Sequence, residues 1–359
     1  MKQGFPNSLI ANNNLPVWLR GDDKYVYCST VMLNRNIKGL KFPHKASKEE
    51  KEKVCKRIIG KMSHCSFHSD FHWSFFSDLS ENQKKLMYER KWSPLILDER
   101  SQDLDTIIFS SIDETEQIIL NVDDHIQVRV SLPGFDVRKC YDKCIAILKQ
   151  LDLDYAKNET FGYLTSSPAI MTTGLQIEVL THIPGLLIAE DKSNWLSFLK
   201  SFGITLDGFF GFNSSPQGNA FTLCNSNVYQ RTEEEILEVY DDVIPQFSKM
   251  ELAARNNIEK DEMKDIVARA YGTLKYAYKM GYEESLSALS LLKMGVEEKL
   301  LKVISSKKVK LLMNCTFPAQ ILYITSSPPD EIETARASFF RENLKRKKKI
   351  DENPTNSNS

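Results

Sequence analysis

The sequence is poor in the features that mark several classes of protein. Seven cysteines among 359 residues are too few, and odd in number, for a disulfide framework. No stretch approaches the roughly 18–20 apolar residues of a membrane-spanning helix, and Pro184 and Gly185 interrupt the run near Ile183–Ala189. The first residues lack the apolar segment and small-residue cleavage site of a secretion signal. We therefore expect a reduced, cytoplasmic protein without a membrane segment.

An excess of charge of either sign is also missing. The 47 Lys and Arg residues balance 48 Asp and Glu residues, which leaves a formal net charge of −1. Clustered cations supply the affinity of a dedicated nucleic-acid binder, so this balance argues against one. The chain is 42% hydrophobic and 26% charged, as in a globular protein, and its length predicts two domains.

The predicted secondary structure places strands before helices. Tyr25–Leu33 reads as a strand, and Ser47 is expected to cap a helix within residues 46–60. Further strands are predicted at Thr106–Ser110, Glu116–Leu120 and Gln127–Leu132, and a further helix at 137–151. Helical periodicity then dominates from about Glu233 onward.

Two groups of side chains could bind a metal or fill a core. His64, His68 and His72 are spaced four residues apart, so they would share one face if the segment were helical. They are either metal ligands or ordinary buried and surface histidines. Cys140 and Cys144 lie on the apolar face of the predicted helix, where small hydrophobic core residues are expected.

Other segments are open to more than one interpretation. The Asp123–His125 cluster follows a strand and could form a turn, an acid/base pair or a metal site. The basic run Lys345–Lys349 is a solvated helix end or contacts an anionic partner. The glycine-containing segments 162–174 and 207–219 match neither of the standard nucleotide-binding loops.

Five blocks of the sequence carry a more specific signal through their order and spacing. They are YCSTVMLNRNIKGLKFP (27–43), NVDDHIQVR (121–129), GYLTSSPAIMTTGLQIEVLTHIPGL (162–186), DGFFGFNSSPQGNAFTLCNSN (207–227) and TEEEILE (232–238). In these blocks the chain resembles the ATP:guanido phosphotransferases, specifically the bacterial protein-arginine kinases that act with the Clp protease system. The resemblance covers residues 20–255 well and the remainder loosely.

The resemblance implies an α+β fold, with a guanido-kinase catalytic-type domain followed by an α-helical C-terminal domain. The catalytic-type domain is an antiparallel sheet flanked by helices. The expected organisation is a flexible arm (1–20), the catalytic-type domain (21–254), the helical domain (255–344) and a basic, then disordered tail (345–359). In the family, arginines hold the phosphates of ATP and a glutamate is the base for phosphoryl transfer to an arginine guanidinium. A cysteine and a second glutamate hold that guanidinium.

Other residues stand at the positions that carry this chemistry. The five phosphate-facing arginines correspond to Thr30, Met32, Gln127, Gln176 and Asp207. The base, the cysteine and the second glutamate correspond to Val122, Ser167 and Phe212. Valine cannot accept a proton at any pH, and loss of one preorganised transition-state donor costs on the order of 10²–10³ in rate. The substitutions therefore predict that phosphoryl transfer is lost.

The residues that match the family are mainly those that shape the backbone. Asp124, His125, Gly208 and Gly211 are retained and are expected to act as scaffold. The family's phosphoarginine-binding motif RDxxRA corresponds to IETARA (332–337), where Arg336 remains but the leading Arg-Asp pair does not. We expect weak phosphoarginine binding at this remnant.

The leading hypothesis is a pseudokinase that acts as a regulatory or interaction protein in Clp-type protein quality control. The implied partners are the zinc-binding activator protein of this family, a Clp-type unfoldase and a second copy of the chain. No cofactor, metal, nucleic acid or membrane partner is expected. The alternative is a divergent protein-arginine kinase that uses ATP and Mg²⁺, with Asp123 or Asp124 as base and Arg129 as a replacement cation. A weaker third hypothesis is a metal-linked binding module built on His64, His68 and His72.

Overall fold

The computed structural model describes residues 1–5, 15–93, 106–189, 193–211, 214–226 and 230–345. The strands in these ranges are β1 (Lys2–Gln3), β2 (Val26–Arg35), β3 (Phe71–Phe75), β4 (Ile107–Ser111), β5 (Glu116–Leu120), β6 (Ile126–Pro133), β7 (Lys157–Asn158), β8 (Gly162–Tyr163), β9 (Leu175–His182), β10 (Ile204–Asp207) and β11 (Ala220–Asn225). The helices are α1 (Val17–Arg20), α2 (Lys48–Met62), α3 (Glu81–Glu89), α4 (Val137–Leu151), α5 (Pro184–Ile188), α6 (Ser193–Ser201), α7 (Glu233–Asn257), α8 (Lys260–Tyr276), α9 (Tyr282–Glu297), α10 (Ser306–Asn314), α11 (Pro318–Thr325) and α12 (Ile332–Asn343).

Nine strands form one sheet in the order β1-β3-β4-β5-β6-β2-β9-β11-β10. All neighbouring pairs are antiparallel except β1 with β3. The long strand β2 lies at the centre, where it pairs with β6 on one side and β9 on the other. The strands precede a run of helices, so the α+β fold predicted from the sequence is confirmed.

Capping residues set the starts of the main helices. Ser47 caps α2 through a capping box with Glu50, as predicted, because each side chain satisfies a backbone N–H of the other residue. Thr232 and Glu235 form the same arrangement at the start of α7. Helix α4 spans the residues that the apolar spacing predicts.

The apolar face of the sheet packs against α2, α4 and α7. Its strands contribute fully buried aliphatic side chains, including Val31, Leu33, Val128, Ile177 and Leu223. Cys140 and Cys144 of α4 are completely buried against this face, which confirms the prediction that they are core residues. This core fixes the register of β2, β6 and β9, because a one-residue slip would turn the aliphatic side chains toward the opposite face.

A second core joins the sheet to the helical part of the chain. It contains Trp18 and Tyr27 from the N-terminal region, Phe209 from the loop after β10, and Leu289 and Phe317 from the helical part. Two short elements, β1 and α1, lie within the predicted flexible arm, and the arm itself stays a prediction. Three buried side chains anchor α1, and β1 gains its hydrogen bonds from β3.

The chain continues from α7 into α8 with a short break at residues 258–259. The predicted boundary between residues 254 and 255 falls in the last turn of α7, and the division into domains stays a prediction. Among the helices of the described ranges, none combines the length and the apolar character that crossing a bilayer requires.

Candidate functional site

The side of the sheet opposite the apolar core carries polar side chains at its centre. On β2, Met32 lies between Arg129 of β6 and Gln176 of β9, and Thr30 lies between Ser131 and Glu178. Side chains alternate along a strand, so residues paired in this way point to one face. We call it the polar face: Thr30, Met32, Asn34, Gln127, Arg129, Ser131, Gln176 and Glu178. The structure thus brings four of the five substituted positions, Thr30, Met32, Gln127 and Gln176, to one surface.

Neutral amides form a ladder across three strands of the polar face. The Gln127 Nε2 donates to Asn34 Oδ1 at 3.0 Å, and Asn34 Nδ2 donates to Gln176 Oε1 at 3.1 Å. Asn34 also donates to the Gly174 carbonyl at 3.2 Å. Two positions that are arginines in the resembled family are therefore uncharged and hydrogen-bonded to each other through Asn34.

The charged groups of the polar face pair with each other. Arg129 Nη2 lies 3.3 Å from Glu178 Oε2, and Arg129 Nη1 donates to the Met32 sulfur at 3.0 Å. The Arg129 side chain is 2% exposed and that of Glu178 is 13% exposed. Arg129, the replacement cation of the enzyme alternative, lies on the polar face, and its charge is already balanced by a carboxylate of the same chain.

A lysine from outside the sheet covers the same surface. Lys91 follows α3 in a left-handed conformation with φ +59°. Its ammonium group donates to the Phe209 carbonyl and lies 5.1 Å from the centre of that ring. Burial lowers the pKa of Lys91, and the nearby Glu178 carboxylate opposes that shift. Lys91 and Glu178 therefore form part of one buried electrostatic cluster.

Little space remains under this cover. A cavity of about 10 Å³ lies between α1, the segment Arg90–Trp92 and the sheet, and Trp18, Cys28 and Thr30 contribute to its wall. That volume is about the space one water molecule needs. Burial raises the pKa of the Cys28 thiol to about 11, so this thiol is neutral. At the Thr30 end of the polar face, the cover therefore leaves no room for a triphosphate, and the nearby Arg129 is already paired with Glu178.

Asp207 lies at the end of β10, on the same side of the sheet but further from its centre. It pairs with Thr222 of β11, which pairs with Leu180 of β9. Its carboxylate accepts a hydrogen bond from the Thr205 hydroxyl at 3.1 Å. A negative charge at this position disfavours a phosphate group nearby.

The loop after β10 requires the two retained glycines. A Cβ atom at Gly208 would lie 2.2 Å from the Ser214 carbonyl oxygen, and Gly211 has φ +94° and lies against Glu178. Gly208 therefore allows two backbone segments to approach, and Gly211 adopts a conformation unfavourable for other residues. These contacts support the scaffold role expected of both glycines, which stays a prediction.

Of the three remaining substituted positions, the two that lie within the described residues are not part of the polar face. Val122 packs against a separate apolar cluster that includes Phe76, Met87 and Ile119. Ser167 is exposed, and its carbonyl accepts a hydrogen bond from Thr165 at 2.9 Å. Phe212 lies outside the described residues.

Asp124 and His125 hold loops together. The Asp124 carboxylate accepts hydrogen bonds from Asn36 Nδ2 at 2.5 Å and from the Ser166 N–H at 2.7 Å. His125 Nδ1 accepts from the Ile37 N–H at 3.0 Å, while its Nε2 lies 2.9 Å from the Lys41 carbonyl. Burial raises the pKa of Asp124 and lowers that of His125. These contacts tie the β5–β6 turn to the loop after β2, so the turn interpretation fits the geometry better than an acid/base pair.

Arg336 is buried and does not line an open anion pocket. Its Nε donates to the Thr316 carbonyl at 2.8 Å, and its Nη1 donates to the Met280 carbonyl at 2.7 Å. Nearby, the Glu89 carboxylate accepts from the N–H groups of Ala319 and Gln320 at the start of α11. Arg336 therefore connects three segments of the helical part, with a carboxylate of the chain beside it.

The histidine cluster does not form the face that helical spacing would give. His64 follows the end of α2, His68 lies in a short 3₁₀ helix and His72 lies in β3. Among the residues that the structure describes, no group of three or more His, Cys, Asp or Glu side chains is arranged to hold a metal ion.

Sequence reasoning missed Asn34, Ser131 and Glu178 of the polar face, and also Lys91, which covers it. The first three follow from strand alternation, because each lies two positions from a residue already singled out. No sequence pattern indicated Lys91, because it reaches the sheet from a loop that is distant in sequence.

Comparison with known proteins finds family matches for both the sheet and the helical part that follows it. Residues 52–254 match the ATP:guanido phosphotransferase C-terminal catalytic domain, and residues 260–356 match the protein-arginine kinase McsB C-terminal domain. The solved lombricine kinase structure superposes with a TM-score of 0.58 at 19% identity, covering 73% of this chain and 74% of that chain. At that identity the likeness shows the fold alone: a guanido-kinase fold.

The closer sequence relatives define the branch. The chain is 30% identical to the protein-arginine kinase of Pelotomaculum thermopropionicum over 348 residues, 94% of this chain and 96% of the relative. It is 31% identical to that of Clostridium tetani over 331 residues, 89% and 95% of the two chains. The chain belongs to the ATP:guanido phosphotransferase family, in its protein-arginine kinase branch.

Proposed function

We propose that this member of the family has lost phosphoryl transfer and acts as a cytoplasmic regulatory or interaction protein in Clp-type protein quality control. The main observation that supports this proposal is on the polar face, where Arg129 pairs with Glu178 at 3.3 Å instead of remaining free for a phosphate. The amide ladder and the cover of Lys91 and Trp18 support the same interpretation. A retained fold without the reaction's charged groups is suited to binding rather than catalysis.

The proposed partners are the family's zinc-binding activator protein, a Clp-type unfoldase and a second copy of the chain. The match of this chain to nearly the full length of the curated relatives supports the retention of family surfaces. No cofactor is part of the proposal, and ATP with Mg²⁺ belongs only to the enzyme alternative.

Calorimetric titration with Mg-ATP tests the proposal. We expect no binding at micromolar concentrations, and a micromolar dissociation constant would refute the loss of the nucleotide site. The matched control is Gln127→Arg with Gln176→Arg, because these half-buried side chains can reach solvent without displacing the cover. Restoring arginine at the buried Thr30 and Met32 would instead require movement of the cover.

One observation favours the divergent-kinase alternative. Arg129 and Lys91 place two cations near the polar face against the single carboxylate of Glu178. If a conformational change withdrew Trp18 while Lys91 stayed beside the sheet, this excess positive charge would be open to an anion. Labelled ATP with an unstructured arginine-rich protein distinguishes the two functions, because acid-labile phosphate on the protein appears only with a working enzyme.

A further inference from the structure

We propose that the end of the helical part is a docking surface for an acidic segment of a partner protein. The surface comprises Lys275, Tyr276, Tyr278, Lys279, Arg341 and Lys345, and we call it the C-terminal basic surface. It lies where the last turn of α12 packs beside the end of α8. The proposal does not depend on whether the polar face has lost catalysis.

Two tyrosines on this surface are unusually exposed. Tyr276 is 68% exposed and Tyr278 is 80% exposed, the largest values among the exposed large hydrophobic residues of the described ranges. Tyrosine and arginine are the residue types most enriched where binding energy concentrates in protein interfaces. Tyr276 and Tyr278 are two positions apart and both exposed, so together they indicate a surface suited to a protein partner.

A cation of the chain lies beside each of the two rings. Lys275 Nζ lies 5.3 Å from the Tyr276 ring centre, and Arg341 Cζ lies 5.0 Å from that of Tyr278. Arg341 also donates to the Ala277 carbonyl, which fixes α12 against the end of α8. A cation–π contact is attractive even at an exposed site, so each contact favours the ring position seen here.

The charge of this region differs from that of the whole chain. This surface contains the cations Lys275, Lys279, Arg341 and Lys345. Two acidic residues lie beside them, Glu342 in the last turn of α12 and Glu333, whose carbonyl accepts a hydrogen bond from the Met280 N–H. In the sequence, Arg346 and three lysines follow directly. A chain of net charge −1 therefore concentrates positive charge at one end, where it complements a segment rich in Asp and Glu.

The geometry favours an acidic peptide over a single-stranded nucleic acid. Nucleic-acid binders use aromatic faces for base stacking. Here a cation of the chain already lies over one face of each exposed ring. The phenolic hydroxyls and cationic groups remain suited to hydrogen bonds with carboxylates.

Fluorescence anisotropy of the full chain with a labelled peptide of Asp-Glu-Ser repeats tests the proposal. We expect saturable binding that weakens as salt rises, and no binding of an Asn-Gln-Ser peptide of equal length. Tyr276→Ser with Tyr278→Ser should weaken binding about tenfold without unfolding the chain, because both side chains are exposed. Lys279→Gln with Lys345→Gln should weaken it similarly.

The matched control is Lys264→Gln with Arg269→Gln, which removes two exposed cations from the same α8 outside this surface. We expect the control to retain the affinity of the unmodified chain. Absence of binding, equal loss in the control, or tighter binding of a single-stranded oligonucleotide of equal charge would each overturn the proposal.

Discussion

Replacing Glu178 with glutamine removes the negative charge that balances the polar face. The variant leaves Arg129 buried beside a neutral amide, and Lys91 loses the carboxylate that supports its charge. Breaking a buried ion pair by removing one partner costs about 3–5 kcal/mol. Because Glu178 keeps 13% exposure and water can partly replace it, we expect about 2–4 kcal/mol of lost unfolding free energy.

Urea titration followed by far-ultraviolet circular dichroism measures this loss. The double variant Arg129→Gln with Glu178→Gln removes both charges, so its loss should be at least about 1 kcal/mol smaller than the sum of the single variants. As a control, Asp261→Asn breaks the exposed pair with Lys264 and should cost less than about 1 kcal/mol. A loss below about 0.5 kcal/mol for Glu178→Gln would refute the internal ion pair as a structural element.

Three further perturbations test other parts of the structure. Burial raises the pKa of Glu89 to about 7 from a usual 4.5, so its contribution to stability is present below pH 4.5 and is lost as the pH rises through 7. Between pH 5 and pH 8, the unfolding free energy of the unmodified chain should fall by up to about 3 kcal/mol more than that of Glu89→Gln. The same pH dependence in both proteins would contradict the raised pKa of Glu89. Gly208→Ala should lower the melting temperature because its Cβ would meet the Ser214 carbonyl, whereas Gly60→Ala, with open space in a helix, should not. Trp18→Ala should cost about 3–5 kcal/mol in chemical denaturation, and a cost near zero would show that α1 does not cover the sheet.

The sequence predicted the elements whose signals are local. The Ser47 cap, the strand around Thr30 and the apolar spacing of α4 each depend on neighbouring residues, and each element formed as expected. Family resemblance then supplied the positions, and strand alternation placed four of them on one face.

Features that depend on distant contacts could not be predicted in the same way. Lys91 is folded over the sheet by the path of the chain after α3, and Trp18 is buried by residues of the helical part more than a hundred positions away. Arg336 reads in the sequence as a remnant of an anion site, but its guanidinium donates to two backbone carbonyls. Long-range packing determines the positions of these three side chains, and the spacing of neighbouring residues in the sequence does not predict such packing.

The most direct test of the central claim is phosphoryl transfer itself. Purified chain is incubated with γ-labelled Mg-ATP and an unstructured arginine-rich protein, beside the protein-arginine kinase of Pelotomaculum thermopropionicum as the reference. We predict acid-labile label on the protein only with the reference enzyme, because Arg129 is paired with Glu178 and Val122 cannot act as a base. Acid-labile incorporation by this chain that Arg129→Gln abolishes would contradict the account and establish a divergent kinase.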